Sequence, residues 1–169
     1  MSLELPIAAE LGQYLKPLNI KVNPVSYIFP SEEWVKALCS SLNNDKEFLG
    51  AVNGWNIEVL LVGKNLSNEV VKYLSSTYGI DDIKTIGILL KFNNSCKEAS
   101  LLINPEINNY HNVVIADYNT WLKVLDGLND PISTMLSVFK KLEVRGSMTT
   151  LIRLAANIIS PMAKVMRKI

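Results

Sequence analysis

Histidine occurs once in this chain, at His111, and cysteine twice, at Cys39 and Cys96. A single imidazole excludes any site built from several of them, the usual zinc hydrolase arrangements included. The sequence also lacks a Walker A loop, G-x-G-x-x-G, G-x-S-x-G, C-x-x-C and H-E-x-x-H, so neither a phosphate cradle nor a nucleophile elbow is written in it. No apolar run reaches the roughly 18 residues of a membrane span. Its longest apolar segments, such as Val59–Val62 and Ile86–Leu90, have strand length. Charge of one sign is lacking as well: 17 basic residues meet 16 acidic ones, and a nucleic-acid partner is therefore not expected. Glu4, Glu10, Pro6 and Gly12 stand where a secretory leader would be cationic and then apolar, so no leader is expected. A chain of 169 residues buries enough surface, roughly 70%, to fold without staples. Two cysteines do not make a framework, and a reducing, cytoplasmic setting is expected.

The near-zero net charge hides an asymmetry. Between Val144 and Ile169 there are five basic residues and no acidic one, while the rest of the chain holds 12 basic and 16 acidic groups. Any electrostatic role is therefore expected in the C-terminal tail.

Residues 1–30 read as a proline-interrupted lead-in: a short helix fits Leu3–Leu18, and Pro17, Pro24 and Pro30 break the remainder. Residues 31–169 read as one domain. Ser31 caps a helix over Glu32–Leu42, with Trp34, Val35, Leu38 and Leu42 on its apolar stripe, and Asp45 caps a second through Phe48 and Val52. Alternation from Trp55 to Val62 predicts a strand, and Ser67–Ser76 a helix stopped by Gly79. Thr85–Phe92 and Glu98–Asn104 predict a hairpin around Asn93-Asn94-Ser95, and Val113–Ala116 a further strand. Asp117 is placed to cap a helix carrying Trp121, Leu122 and Leu125, and Asp130-Pro131 to open another through Met135, Leu136 and Phe139. Leu142–Arg145 reads as a strand ending at Gly146, and a helical period then runs to Ile169 with a kink at Ser160-Pro161.

Side chains with catalytic chemistry all have plainer explanations. His111, between Tyr110 and Asn112, reads as a solvated turn residue. Cys39 reads as a small core hydrophobe, and Cys96 as a turn residue beside Lys97. Glu32-Glu33 belong to a helix N-terminus, and Asp81-Asp82 to a turn. No catalytic residue, metal or cofactor is implied. The tail remains: an apolar stripe including Met148, Leu151, Ile152, Ile158, Ile159 and Met162 lies opposite Arg153, Lys164, Arg167 and Lys168. Such a stripe either closes a core or repacks around an apolar ligand, and the basic stripe suits anionic headgroups.

From Val113 to Leu154 the chain resembles the sterol carrier protein, type two, domain family. The points of likeness are a strand leading into a helix at Tyr118, the Gly-x-x-x-Pro turn Gly127–Pro131, a second helix over Ile132–Phe139, the strand at Leu142–Arg145, Gly146, and a final helix from Met148. Lys140-Lys141 stands where that family has Gly-Lys. The resemblance implies an α+β fold: a five-stranded, mostly antiparallel sheet covered by helices and enclosing an apolar cavity. It implies a non-enzymatic carrier whose partner is a lipid or fatty acyl ligand. Trp121, Leu125, Leu136 and Phe139, together with the six apolar tail residues named above, are the expected lining. Arg153, Lys164, Arg167 and Lys168 are the expected contacts to an anionic headgroup or membrane surface. The alternative is an adaptor that docks its tail on a lipid-metabolising enzyme.

Overall fold

The computed structural model describes residues 17–22, 25–126, 141–147, 149–150, 152–153, 157, 161 and 166–168. Strands β1 (Leu18–Val22) and β2 (Val25–Phe29) precede helices α1 (Glu32–Leu42) and α2 (Lys46–Val52). They are followed by β3 (Asn56–Lys64), α3 (Asn68–Tyr78), β4 (Ile86–Asn93), β5 (Cys96–Ile103) and β6 (Val113–Asp117). Helix α4 (Tyr118–Asp126) and strands β7 (Glu143–Arg145) and β8 (Met166–Lys168) complete the order, and residues 149–150, 152–153, 157 and 161 are helical.

Local chemistry sets the helix ends, at Ser31, Asp45 and Gly79 as the sequence predicts and at Ser67 as a further cap. The Ser31 hydroxyl accepts from Trp34 N, the Asp45 carboxylate from Glu47 N and Phe48 N, and the Ser67 hydroxyl from Val70 N, each satisfying an N–H that the first helical turn leaves free. Gly79 ends α3 in the left-handed region, at φ 66°, with its N–H donating to Ser75 O.

The main sheet has the order β5-β4-β3-β6-β7. Every neighbouring pair is antiparallel except β3–β6, which runs parallel with Leu60 opposite Val113, so the sheet is mixed and mostly antiparallel as expected. Pleating sends successive side chains of β3 to opposite faces. Ile57, Val59 and Leu61 join the larger core with Trp34, Leu38, Phe48, Leu74 and Leu122, while Leu60 and Val62 join a smaller cluster with Leu89, Val113 and Ile115. Both faces are therefore apolar, and each fully buried aliphatic side chain contributes about 1.5–3 kcal/mol. The edge strand β5 is tied down from the side, since Glu32 Oε2 accepts from Leu101 N at 2.8 Å.

Three sequence expectations are corrected. Within the proline-interrupted lead-in, Leu18–Phe29 forms the hairpin β1–β2, whose Ile20, Val22 and Phe29 are buried in the larger core. Pro17 and Pro30 flank these strands, where a missing N–H is harmless, and do not break a helix. The helical period of the tail does not reach the end of the chain: Met166–Lys168 pairs antiparallel with β1, placing Val22 opposite Met166. The open edge of β1 supplies backbone partners that the last turn of a short helix lacks. Asp117 closes β6 directly before α4, and its carboxylate accepts from Asn65 Nδ2 at 2.6 Å. Finally, Cys39 and Cys96 form a disulfide between α1 and β5, 57 residues apart in sequence, with Cα atoms 5.6 Å apart. The grounds for expecting a reducing setting fall with that bond. One turn beyond Cys39, Asn43 reinforces the junction, donating to Cys96 O and accepting from Cys96 N, both at 2.7 Å.

Candidate functional site

Helix α4 begins at the end of β6, and its first turn supplies the side chains that matter most. Tyr118 is 1% exposed and packs with Trp121 beside Gly63 of β3, where an added Cβ would stand 3.7 Å from the Tyr118 ring and 3.5 Å from that of Trp121. Trp121 is half-buried, and its Nε1 donates to Val62 O at 2.7 Å, which fixes the indole against the sheet.

Phe29, at the end of β2, sits between two further rings. Its centroid is 4.6 Å from that of Trp34, on the buried face of α1, and 6.2 Å from that of Tyr118, to which it is nearly parallel. The consecutive elements β2 and α1 and the distant α4 thus bring three aromatic rings together in the larger core. Trp34 Nε1 and Tyr118 Oη are buried there without a hydrogen-bond partner among the described residues. A buried donor left unmatched costs about 1–3 kcal/mol. Burial also pushes the Tyr118 phenol far above its ordinary range, so the hydroxyl keeps its proton at any physiological pH.

A second feature lies on the surface. The Arg153 guanidinium stands 4.5 Å from the centroid of the Trp55 ring, and Gly54, Asn56, Ile57 and Thr150 complete an open recess of about 230 Å³. A stacked guanidinium keeps its charge and its outward donors, so this recess suits an anion.

Of the residues expected to line an apolar cavity, Trp121 is placed against the sheet and Leu125 lies within α4. Ile152 is 51% exposed and faces solvent. Leu136, Phe139, Met148, Leu151, Ile158, Ile159 and Met162 lie outside the described residues, as does Lys164. Arg167 and Lys168 are in β8, opposite Lys21 and Ile20, and are therefore not on a helical stripe. His111 is exposed at a bend, as a solvated turn residue should be. Trp34 and Phe29 were not legible as site residues. Their apolar spacing marks them as core, and an unpaired indole N–H becomes visible only once its three-dimensional neighbours are known.

The order of elements, the mixed sheet and the helices on it define a sterol-carrier-like α+β fold. Two solved structures share it. "Crystal structure of sterol carrier protein 2" describes one, with a TM-score of 0.56 and 22% identity over 79% of this chain and 95% of that one. The other is the solution structure of a conserved hypothetical protein from Thermus thermophilus, suggested to be a sterol carrier protein, with a TM-score of 0.60 and 21% identity over 85% of this chain and 92% of that one. Neither protein-family profiles nor curated proteins match the sequence.

Proposed function

We propose that this protein binds a lipid or fatty acyl ligand non-enzymatically and transfers it within the cell, with residues 31–169 as the binding domain and the β1–β2 hairpin packed onto it. The observation that carries this reading is the shared fold with structures named as sterol carriers. Physical chemistry supports it: removing hydrocarbon from water stabilises a complex by about 0.8 kcal/mol per methylene, so an apolar site gains affinity with little chain selectivity. The proposed lining is Trp121, Leu125, Leu136 and Phe139 with Met148, Leu151, Ile158, Ile159 and Met162, without the exposed Ile152. Mass analysis of organic extracts from the purified protein tests the reading. The expected result is co-purified lipid approaching one molecule per chain, whereas an empty protein that stays empty after incubation with mixed vesicles overturns it.

Transfer requires the ligand to leave, and the tail is the proposed gate. Opening at Ser160-Pro161 would separate β8 from β1 and bring Arg167 and Lys168, together with Arg153, towards an anionic membrane surface. Deleting residues 161–169 is expected to slow transfer between anionic vesicles at least several-fold, with circular dichroism confirming that the domain is folded. An unchanged rate removes the gate from the mechanism.

A second reading is favoured by exposed Ile152: the tail docks on a lipid-metabolising enzyme as an adaptor. Light scattering after size exclusion separates the two, because an adaptor would run empty and self-associated or bound to its partner.

A further inference from the structure

The recess around Arg153 has two walls, each pinned from outside it. Asn94, at the turn between β4 and β5, accepts from Gly54 N at 2.6 Å through its side chain, and its own N donates to Trp55 O at 3.0 Å, which fixes the Gly54-Trp55 wall. On the other wall the Ser147 hydroxyl accepts from Thr150 N at 3.2 Å, and Arg153 follows one turn later. The Trp55 ring then holds the guanidinium 4.5 Å from its centroid. Stacking occupies the face of the guanidinium and leaves its five N–H groups, which lie in the plane, free to donate. No carboxylate lines the recess, and among the described residues none pairs with Arg153. The acidic residue of β3, Glu58, already pairs with Lys91 at 3.5 Å. At about 230 Å³ and open to solvent, the recess is smaller than the roughly 300 Å³ at which sites take whole small molecules, so its size suits one polar group.

We propose that this recess binds a phosphate monoester, with the Arg153 guanidinium as its charge partner and the Thr150 hydroxyl and Asn56 amide as neutral donors, and that it takes phosphate in preference to carboxylate. A carboxylate has two oxygens in one plane and is satisfied by a single fork, whereas a phosphate monoester offers three terminal oxygens and a charge of about −1.5 to −2 at neutral pH. Donors on separate walls, Asn56 from β3 and the helical Thr150 and Arg153, match the second. This inference deepens the lipid-binding reading by naming a polar group that the surface takes. It rests on that reading only for the source of the phosphate, a lipid headgroup as against a soluble ester.

The full-length protein labelled with nitrogen-15 reports binding through the Trp55 indole N–H resonance, assigned with Trp55→Phe. At constant ionic strength, glycerol 3-phosphate is expected to bind with a dissociation constant on the order of 1 mM, and acetate about tenfold more weakly. Arg153→Gln should weaken the phosphate ester about tenfold, and Thr150→Val several-fold. Arg153→Lys, which keeps the charge and loses the planar stack, should fall between wild type and Arg153→Gln. Arg153 is exposed, so an unchanged melting temperature is expected and checks that each Arg153 variant is folded. Phosphatidylcholine vesicles with and without phosphatidic acid identify the source. Arg153-dependent co-sedimentation with phosphatidic acid supports the site and assigns it to a lipid headgroup. Binding of glycerol 3-phosphate without co-sedimentation supports the site and assigns it to a soluble ester. Equal affinity for acetate and glycerol 3-phosphate overturns the phosphate site, as does an unmoved Trp55 resonance or an Arg153→Gln variant that binds as wild type does. The lipid-binding reading is decided separately, by the lipid extraction.

Discussion

Breaking the Cys39–Cys96 bond is expected to lower the unfolding free energy by about 4 kcal/mol and the melting midpoint by roughly 8–16 °C. The size follows from chain entropy: the cross-link spans 57 residues, and a loop of that length in the unfolded chain loses much of its freedom when closed. The native state should lose little on reduction, because Asn43 still holds the start of β5 through both of its bonds to the Cys96 backbone. The effect therefore falls mainly on the unfolded ensemble. Denaturant titrations with and without a phosphine reductant measure it, with Cys39→Ala/Cys96→Ala as the genetic counterpart. A difference below about 1 kcal/mol would refute the chain-entropy account. The bond also bears on where the protein works. Disulfides persist in oxidising compartments, and inside cells chiefly in hyperthermophiles, so the expectation of an ordinary reducing cytoplasm loses its basis.

That bond also shows where sequence reading stops. Ser31 and Asp45 were legible as caps because a cap and the N–H it satisfies lie within three residues of each other. Strands β3 and β4 were legible because alternation is a property of adjacent positions. The resemblance over Val113–Leu154 supplied the fold class, and the mixed sheet agrees with it.

Non-local pairings were not legible. Cys39 with Cys96, β1 with β8, and β3 parallel to β6 each join segments whose local patterns say nothing about one another. The tail shows the conflict most directly. Met166 fits a helical stripe by spacing, yet it lies in a strand because Val22 offers an open edge. Arg153 was legible as a cation for an anionic surface, but its stacking partner Trp55 comes from the far end of the domain sequence. For the candidate site, the residues nearest to chemistry are buried aromatics. Burial is legible from apolar spacing, whereas the absence of a partner is a fact about the whole fold.

Gly146→Ala is expected to be among the most damaging single substitutions in the described chain, lowering stability by roughly 3–5 kcal/mol. Gly146 has φ 111°, a region L side chains rarely adopt, so any Cβ is strained before it meets a neighbour. It would also meet one: a Cβ there falls 2.5 Å from both His111 O and Asn112 Oδ1, and 3.0 Å from Asn112 Cα. The His111 carbonyl and Asn112 Cα belong to the backbone, so a rotamer change cannot relieve the clash. Displacing Asn112 spreads the damage, because this buried side chain stitches the sheet together. Its Nδ2 donates to Glu58 O at 3.1 Å, its Oδ1 accepts from Ser147 N at 3.2 Å, and its own carbonyl accepts from Leu60 N at 2.9 Å. The pairings of β3 with β6 and of β6 with β7 therefore meet at this point, directly upstream of the tail proposed as the gate. Gly50→Ala is the control. Gly50 lies inside α2 with nothing within 4 Å of the position an added methyl group would take, so alanine should raise stability by about 0.5–1 kcal/mol. Urea titrations of the two variants should move in opposite directions, and a shared direction would refute the close approach of β7's exit to Asn112 as the reason for glycine at 146.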